Sequence, residues 1–444
     1  MEEDLIEITI RDREYKLVSD KWIAEKANIN LLSGRLTVAR KAQLVLNDFS
    51  QDSYSTFIAE SEVSADNLKV CKYLSSNCWH FLSFPFDIKV KDIEVDKDAL
   101  WVVRRYNGEN RAAMNEGKST WENMTDNDVL KAGEGYIFHC AKENGSDVSF
   151  TFRPAKDGNG NAYFAKDDVV KSLNEYPSEF PHNASWNLVG NSFPAYLNLK
   201  AVDFDGPVTI YTNKDDYWNW RYEAYSPLDD ELVLEPFQAF FVQKQEVETG
   251  AQLILKPEGR AHSVEACQAL YETEENLTRA SADRALFNLN IKGENGTDRT
   301  RLVVNEEASA AYESNRDASK FPAMNAETPQ IFMLNNGMRM AIDEQPLGKG
   351  TFPVGTQLQK GTYTISLTTR RADNFEAYLL DSKTGAETNL SKGDYSFESD
   401  GNDVDRFNLS LRNVPLQSGV EETVAASGVA VNTNGNMLTV TAPA

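Results

Sequence analysis

Short apolar runs separated by polar joints dominate the chain, and no segment carries a sustained helical period. Two of the runs share a shape. Cys78-Trp79-His80-Phe81-Leu82-Ser83-Phe84-Pro85 and Ser185-Trp186-Asn187-Leu188-Val189-Gly190-Asn191-Ser192-Phe193-Pro194 both pass from a tryptophan through an apolar strand to Phe-Pro. Each is followed by a second matching strand, Leu130–Phe138 in the first case and Leu234–Val242 in the second. Trp79 and Trp186 are 107 positions apart and Leu130 and Leu234 are 104 apart, a drift of three that one small loop deletion explains. The pattern predicts a duplicated antiparallel β domain over 66–261, with copies at about 78–140 and 185–244. It also predicts an approximate two-fold between the copies, with Trp79 and Trp186 in equivalent buried places.

The flanks are β-patterned too. Over 1–65, Ile6–Ile10, Leu36–Val38, Gln43–Leu46 and Thr56–Ile58 are short runs with short polar connections, which suit either a meander or the last rungs of a β-solenoid. A solenoid end needs a cap, and the duplicated domain follows directly. Residues 262–284, with Glu265, Glu272, Glu274 and Glu275, read as a polar, strand-poor link. Over 285–412, seven runs punctuated by Asn-Gly and Thr-Gly turns predict a β-sandwich, with Phe407, Leu409 and Leu411 on its core face. A linker over 413–428 then leads to Val429–Val431 and Met437–Thr441 around Asn434-Gly435, a hairpin too small to stand alone. That hairpin is expected to begin a further unit of a longer native protein. The predicted fold class is therefore all-β, with solenoid-like N-terminal rungs, a duplicated antiparallel domain and a C-terminal sandwich.

Composition narrows the function. At 444 residues the chain is too long for one core, and 41% apolar with 10% aromatic residues is the composition of a folded protein. Lys and Arg number 45 against 68 Asp and Glu, a net charge of −23 that repels nucleic acid and anionic membranes. No run reaches the roughly 20 apolar residues that cross a bilayer, and Met1-Glu2-Glu3-Asp4 lacks the parts of a signal peptide. Cys71, Cys78, Cys140 and Cys267 show no zinc-type spacing. Cys78 opens one strand and Cys140 closes its neighbour, so a disulfide is geometrically open to them, with free buried thiols the default.

Candidate chemistry is sparse. Asp157-Gly158-Asn159-Gly160-Asn161 starts like a calcium loop but has Ala162 where glycine is required. Asp400, Asn402, Asp403 and Asp405 offer oxygen ligands for calcium, yet they fall between two strands, where Asp and Asn are ordinary turn residues. The carboxylate pairs Asp229 with Asp230 and Asp167 with Asp168 lack any sign of the cleft that glycoside hydrolysis needs. The best binding candidate is the aromatic patch Tyr217, Trp218, Trp220, Tyr222 and Tyr225, whose rings serve either a core or stacking on a sugar or protein partner. No catalytic residue, resident metal or cofactor is assigned.

The run from Phe57-Ile58 through Val70–Leu74 to Trp79–Pro85 resembles the junction, in secreted Bacteroidetes surface proteins, where a β-helix ends and a W-x-x-(V/I/L)-S-x-P domain begins. Trp186–Asn191 and Pro236–Val242 are similar to that family's second repeat, with Ser192-Phe193-Pro194 in place of Pro-Tyr-Pro and Phe237 where glycine is common. Asp298–Leu302, Asp317–Lys320, Gly361–Ile365 and Asp405–Leu409 resemble the sandwich that precedes the sorting domain of type IX secretion substrates. The resemblance implies an exported, monomeric cell-surface protein, attached at the outer membrane without inserting into it. It further implies adhesion to a host or microbial surface protein or glycan, and no enzyme activity. A glycan-binding module and the accessory region of a secreted hydrolase are the alternatives.

Overall fold

A computed structural model describes residues 6–12, 14–17, 21–25, 27–33, 35–38, 43–47, 54–65, 68–113, 119–155, 166–213, 220–244, 252–271, 284–348, 350–401, 403–414, 430–434 and 437–441. It is all-β, with two short α-helices, Gly108–Ala113 and Val264–Ala269, among the described residues. The N-terminal strands are β1 (Ile6–Ile10), β2 (Glu14–Leu17), β3 (Lys21–Glu25), β4 (Ala27–Leu31), β5 (Arg35–Val38), β6 (Gln43–Asn47), β7 (Thr56–Ala59), β8 (Glu62–Ala65) and β9 (Leu68–Leu74). They pair only in parallel with one another, β1 with β4 and β7, β2 with β5 and β8, β3 with β6 and β9. Three rungs on three faces are a β-solenoid, not a meander. Its interior repeats by register, Ile8 over Ile29 over Phe57, and the latter two are wholly buried.

Two matched groups of strands follow. The first holds β10 (Trp79–Ser83), β11 (Ile88–Lys89), β12 (Glu94–Val95), β13 (Leu100–Tyr106), β14 (Trp121–Asn123), β15 (Val129–Leu130), β16 (Gly135–Ala141) and β17 (Val148–Phe152). The second holds β18 (Val169–Ser172), β19 (Trp186–Gly190), β20 (Tyr196–Asn198), β21 (Val202–Asp203), β22 (Val208–Thr212), β23 (Arg221–Tyr225), β24 (Val233–Leu234), β25 (Ala239–Gln243) and β26 (Gln252–Leu255). The main sheets run β10-β16-β13-β14 and β19-β25-β22-β23, and behind them lie β12-β17-β9 and β21-β26-β18. Trp79 pairs with His139 and Trp186 with Gln243, so the same offsets that relate the sequences relate the registers.

β9 belongs to both worlds. It pairs in parallel with β6 and antiparallel with β17, so the solenoid's third face runs without a break into the first sandwich and its last edge is capped by backbone hydrogen bonds. One core accordingly stretches from Ile29, Leu31 and Phe57 to Phe138, Phe150 and Phe152.

The two main sheets pack face to face. Phe81 and Ile137 from one meet Trp186, Leu188, Tyr211, Tyr222 and Phe241 from the other. Phe240 and Val242 point the opposite way, into the second sandwich, which is why Ala239–Val242 is unbroken in its apolarity instead of alternating. At the crossing the backbones nearly touch: a Cβ on Gly190 would fall 2.2 Å from that of Ser83. Two lone antiparallel bridges join the sheets there, Leu82 with Gln238 and Glu134 with Val189. A rotation exchanging the sheets would exchange these bridges.

The C-terminal region is one sheet of eleven strands, curled until its ends approach. Its path runs Glu387–Asn389, Phe375–Asp381, Phe407–Asn413, Thr351–Gln357, Gln330–Asn335, Met338–Gln345, Gly296–Val304, Ala285–Gly293, Gly361–Arg370, Tyr395–Ser399, with Ala318–Ser319 beside Met338–Gln345. Tyr395 Oη donates to Asp381 Oδ2 at 2.6 Å across the closing gap. All seven expected strands are present, and Phe407, Leu409 and Leu411 do line the core. The expectation missed Ala318–Ser319, Thr351–Gln357, Glu387–Asn389 and Tyr395–Ser399, of which the longest, Thr351–Gln357, is interrupted by Pro353. Pro353 is tolerated because the strand changes partners there: it pairs with Phe407–Asn413 over Thr351–Val354 and with Gln330–Asn335 only from Val354 onward.

The expected link over 262–284 is partly structured, with Val264–Ala269 helical, capped by Ser263, and Cys267 buried beneath it. Ala430–Asn434 and Met437–Thr441 form a hairpin whose pairing, among the described residues, is with each other alone.

Candidate functional site

Strand β23 carries Tyr222 and Tyr225 of the aromatic patch singled out in the sequence, with Trp220 just before it, and the fold divides the patch. Tyr222 faces the inter-sheet core and is 7% exposed, within 5.9 Å of Phe81 and 5.1 Å of Phe321 by ring centroid, so it is structural. Tyr225 sits under the Arg299 guanidinium, 5.1 Å from its ring centre, and burial pushes its phenol up. Trp220 is half-buried and stacks on Tyr211 at 5.4 Å and 20°. Tyr217 and Trp218 lie outside the described residues.

Sequence reasoning missed the neighbours that Trp220 acquires. His80 meets it edge-on at 5.6 Å, and beyond His80 the open end of the first sheet presents Trp79, His139 and Arg104, all half-buried. The Arg104 guanidinium lies 4.8 Å over Trp79, and His139 leans on the same indole at 4.9 Å. Trp79 and Trp186 therefore differ in burial, contrary to expectation. Trp186 is 1% exposed because Phe321 from the C-terminal region covers it, whereas Trp79, at the margin of the same inter-sheet cluster, is half-buried and carries Arg104 and His139. Alternation along β10 and β16 was the signal that would have put Trp79 and His139 on one face.

His80 itself is buried on the opposite face and bonds the Ser75 carbonyl at 2.9 Å. Burial lowers its imidazole to about 4.

The acidic groups are committed elsewhere. Asp403 is buried and accepts from Arg406 and Lys383, each at 3.2 Å, and Asp400 pairs with Lys383 at 2.9 Å. Cations thus occupy Asp403 Oδ1 and Asp400 Oδ2; Asp405 is exposed, and Asn402 and 157–161 lie outside the described residues. Among the described residues no group of three His, Cys, Asp or Glu side chains is placed to hold a metal. No helix among them is long and apolar enough to cross a membrane.

Asp229 and Asp230 sit in a buried ionic junction between the second sandwich and the C-terminal sheet. Arg301 clamps Asp230 with two bonds of 2.7 and 2.8 Å, and Asp229 meets Arg284 at 3.2 Å and Arg371 at 2.7 Å. Arg284 also reaches Glu344, and Arg299 reaches Glu223 at 2.8 Å. This pair of carboxylates holds two regions together rather than flanking a cleft.

The four cysteines are free thiols. Register does place Cys78 beside Cys140, one step beyond the Trp79–His139 pair, but no bond joins them. Burial raises the Cys140 and Cys267 thiols to about 12.

A separate cleft of 340 Å³ opens between the two sandwiches. Pro85, Ala132 and Gly133 form one wall, and Val169–Lys171, Ser192, Leu253 and Leu255 form the other. Lys171 Nζ stands at its rim, 3.2 Å from the Ala132 carbonyl and 3.6 Å from Glu134.

A family model described as a domain of unknown function, DUF8693, matches residues 203–411. That stretch contains every residue of the ionic junction named above. No curated protein and no solved structure matches the chain.

Proposed function

We propose that this is an exported cell-surface binding protein, without catalytic activity of its own, that engages a surface protein or glycan through the aromatic face around Trp79 and Trp220. One observation carries the reading: the half-buried Trp79 indole carries an arginine and a histidine at the end of the first sheet, a second half-buried indole, Trp220, stands against the adjoining His80, and flat apolar rings beside a cation favour sugar rings and aromatic or anionic partners. The matched registers and the exchanged bridges support an internal duplication. Under that reading one copy faces its aromatic surface outward while the other spends it on the C-terminal region. The solenoid and the ionic junction would hold that surface on a stiff support. The motif resemblance to type IX secretion substrates supports export.

Arrays of immobilised glycans and of extracellular proteins, probed with the whole chain and with Trp79→Ala and Trp220→Ala, test this. Retention on a ligand class that both variants lose is the expected result. Binding unaffected by either substitution would overturn the assignment of this face.

A further inference from the structure

We propose that the cleft at Gly133 binds one small planar aromatic molecule, its ring inserted between the two sandwiches beside Lys171. This goes beyond the surface reading above and concerns a different site.

The protein itself shows what fits. The turn Leu130–Gly133 leads into β16 as Leu234–Phe237 leads into β25, and the registers of those strands put Gly133 and Phe237 in corresponding places. Their backbones agree, with φ of 71° at Gly133 and 64° at Phe237. Phe237 carries a ring there and Gly133 carries none. The Phe237 ring is buried, stacked on Phe84 at 5.7 Å and 30°, with the Lys72 ammonium 5.5 Å from its centre.

The surroundings correspond as well. Lys72 pairs with Phe150 in one ladder and Lys171 with Leu253 in the other, so a lysine and an apolar floor residue recur side by side. A Cβ built on Gly133 points at the Lys171 side chain, 3.7 Å away, and at Ser192 Oγ, 3.4 Å away. The cleft is thus a counterpart of the Phe237 socket with its ring removed. Pro85, Leu253 and Leu255 supply apolar walls, and Lys171 supplies the cation that favours an aromatic face over an aliphatic chain. At 340 Å³ it exceeds the roughly 150 Å³ in which an apolar cavity holds benzene and reaches the lower range of small-molecule sites.

The test is titration of the whole chain with phenol and with indole, followed by calorimetry and ligand-observed NMR. Saturable one-to-one binding is expected, abolished by Gly133→Phe, which supplies the ring in cis on a backbone that Phe237 shows to be compatible. Val170→Trp, at a cleft-lining residue 52% exposed, blocks the entrance without touching the core and serves if Gly133→Phe does not fold. Lys171→Met should weaken binding and Trp220→Ala should leave it unchanged. Absence of saturable binding to the wild type, or binding that survives Val170→Trp intact, overturns the proposal.

Discussion

The ring of Phe321 meets Trp186 edge-to-face, centroids 4.9 Å apart at 89°. Phe321 belongs to the C-terminal region and Trp186 to the second sandwich, and Arg111 of the first sandwich lies 4.5 Å over the Phe321 ring. Three regions therefore share one aromatic contact. Trp186 also donates its indole N–H to the His182 carbonyl at 3.0 Å, so its removal loses packing and a buried hydrogen bond together. Trp186→Ala is expected to cost about 3–5 kcal/mol. Trp79→Ala, at a half-buried site, should cost about 1–2 kcal/mol. Urea unfolding of both variants checks the order, and equal losses would contradict it.

His80 makes stability depend on pH. Its imidazole is lowered to about 4 by burial, whereas in the unfolded chain it takes a proton near 6.5. The neutral form's contribution is present above the unfolded value and is lost as pH falls from there toward 4. Between pH 7 and pH 5 this one group should remove about 2 kcal/mol, with His139, also lowered by burial, acting in the same sense. His80→Gln keeps a neutral donor for the Ser75 carbonyl and should flatten the profile. Denaturation midpoints at the two pH values read this directly.

The ionic junction should respond sharply to loss of a single partner. Asp229 is 3% exposed, and its removal leaves Arg284 and Arg371 without the carboxylate they share. Asp229→Ala is expected to destabilise by about 2–4 kcal/mol, because the buried Arg284 keeps Glu344 but loses one of its two carboxylates, and Arg371 loses its bond to Asp229. In a double-mutant cycle, adding Arg371→Met should recover part of the loss. Strict additivity would mean that the two do not couple in solution.

Thiol reactivity separates the cysteines. Cys71 and Cys78 are half-buried, whereas Cys140 and Cys267 are buried with their thiols raised to about 12. A thiol reagent should label Cys71 and Cys78 first in the native protein and reach all four only on unfolding, under non-reducing conditions. A denatured count of two would instead mean that the adjacent Cys78 and Cys140 had been oxidised to a disulfide.

How much of this was legible beforehand depends on how local the cause is. Strand alternation is local, so Phe407, Leu409 and Leu411 could be placed on one face, and the repeated Trp-to-Phe-Pro runs gave offsets that reappear in the strand registers. What the rings and charges do is not local. Trp79 and Trp186 follow the same pattern, yet Trp186 is covered by Phe321 and Trp79 is only half-buried, because burial is decided by which distant segment packs on a face. Tyr222 and Trp220 are two residues apart, but Tyr222 is buried where Phe81 of the first sheet and Phe321 close over it, whereas Trp220 stays half-buried at the margin, stacked on Tyr211. Asp229 and Asp230 are adjacent carboxylates of no stated role in the sequence, and only folding brings Arg284, Arg301 and Arg371 to them. The sequence by itself determined the strands, their periodicity and the recurrence of one unit, since these follow from side-chain size and backbone preference along a short window. Only the tertiary structure decided which aromatic rings stay partly exposed, which charges are neutralised and where a missing ring leaves a cleft, since those outcomes depend on contacts between segments from tens to more than a hundred residues apart.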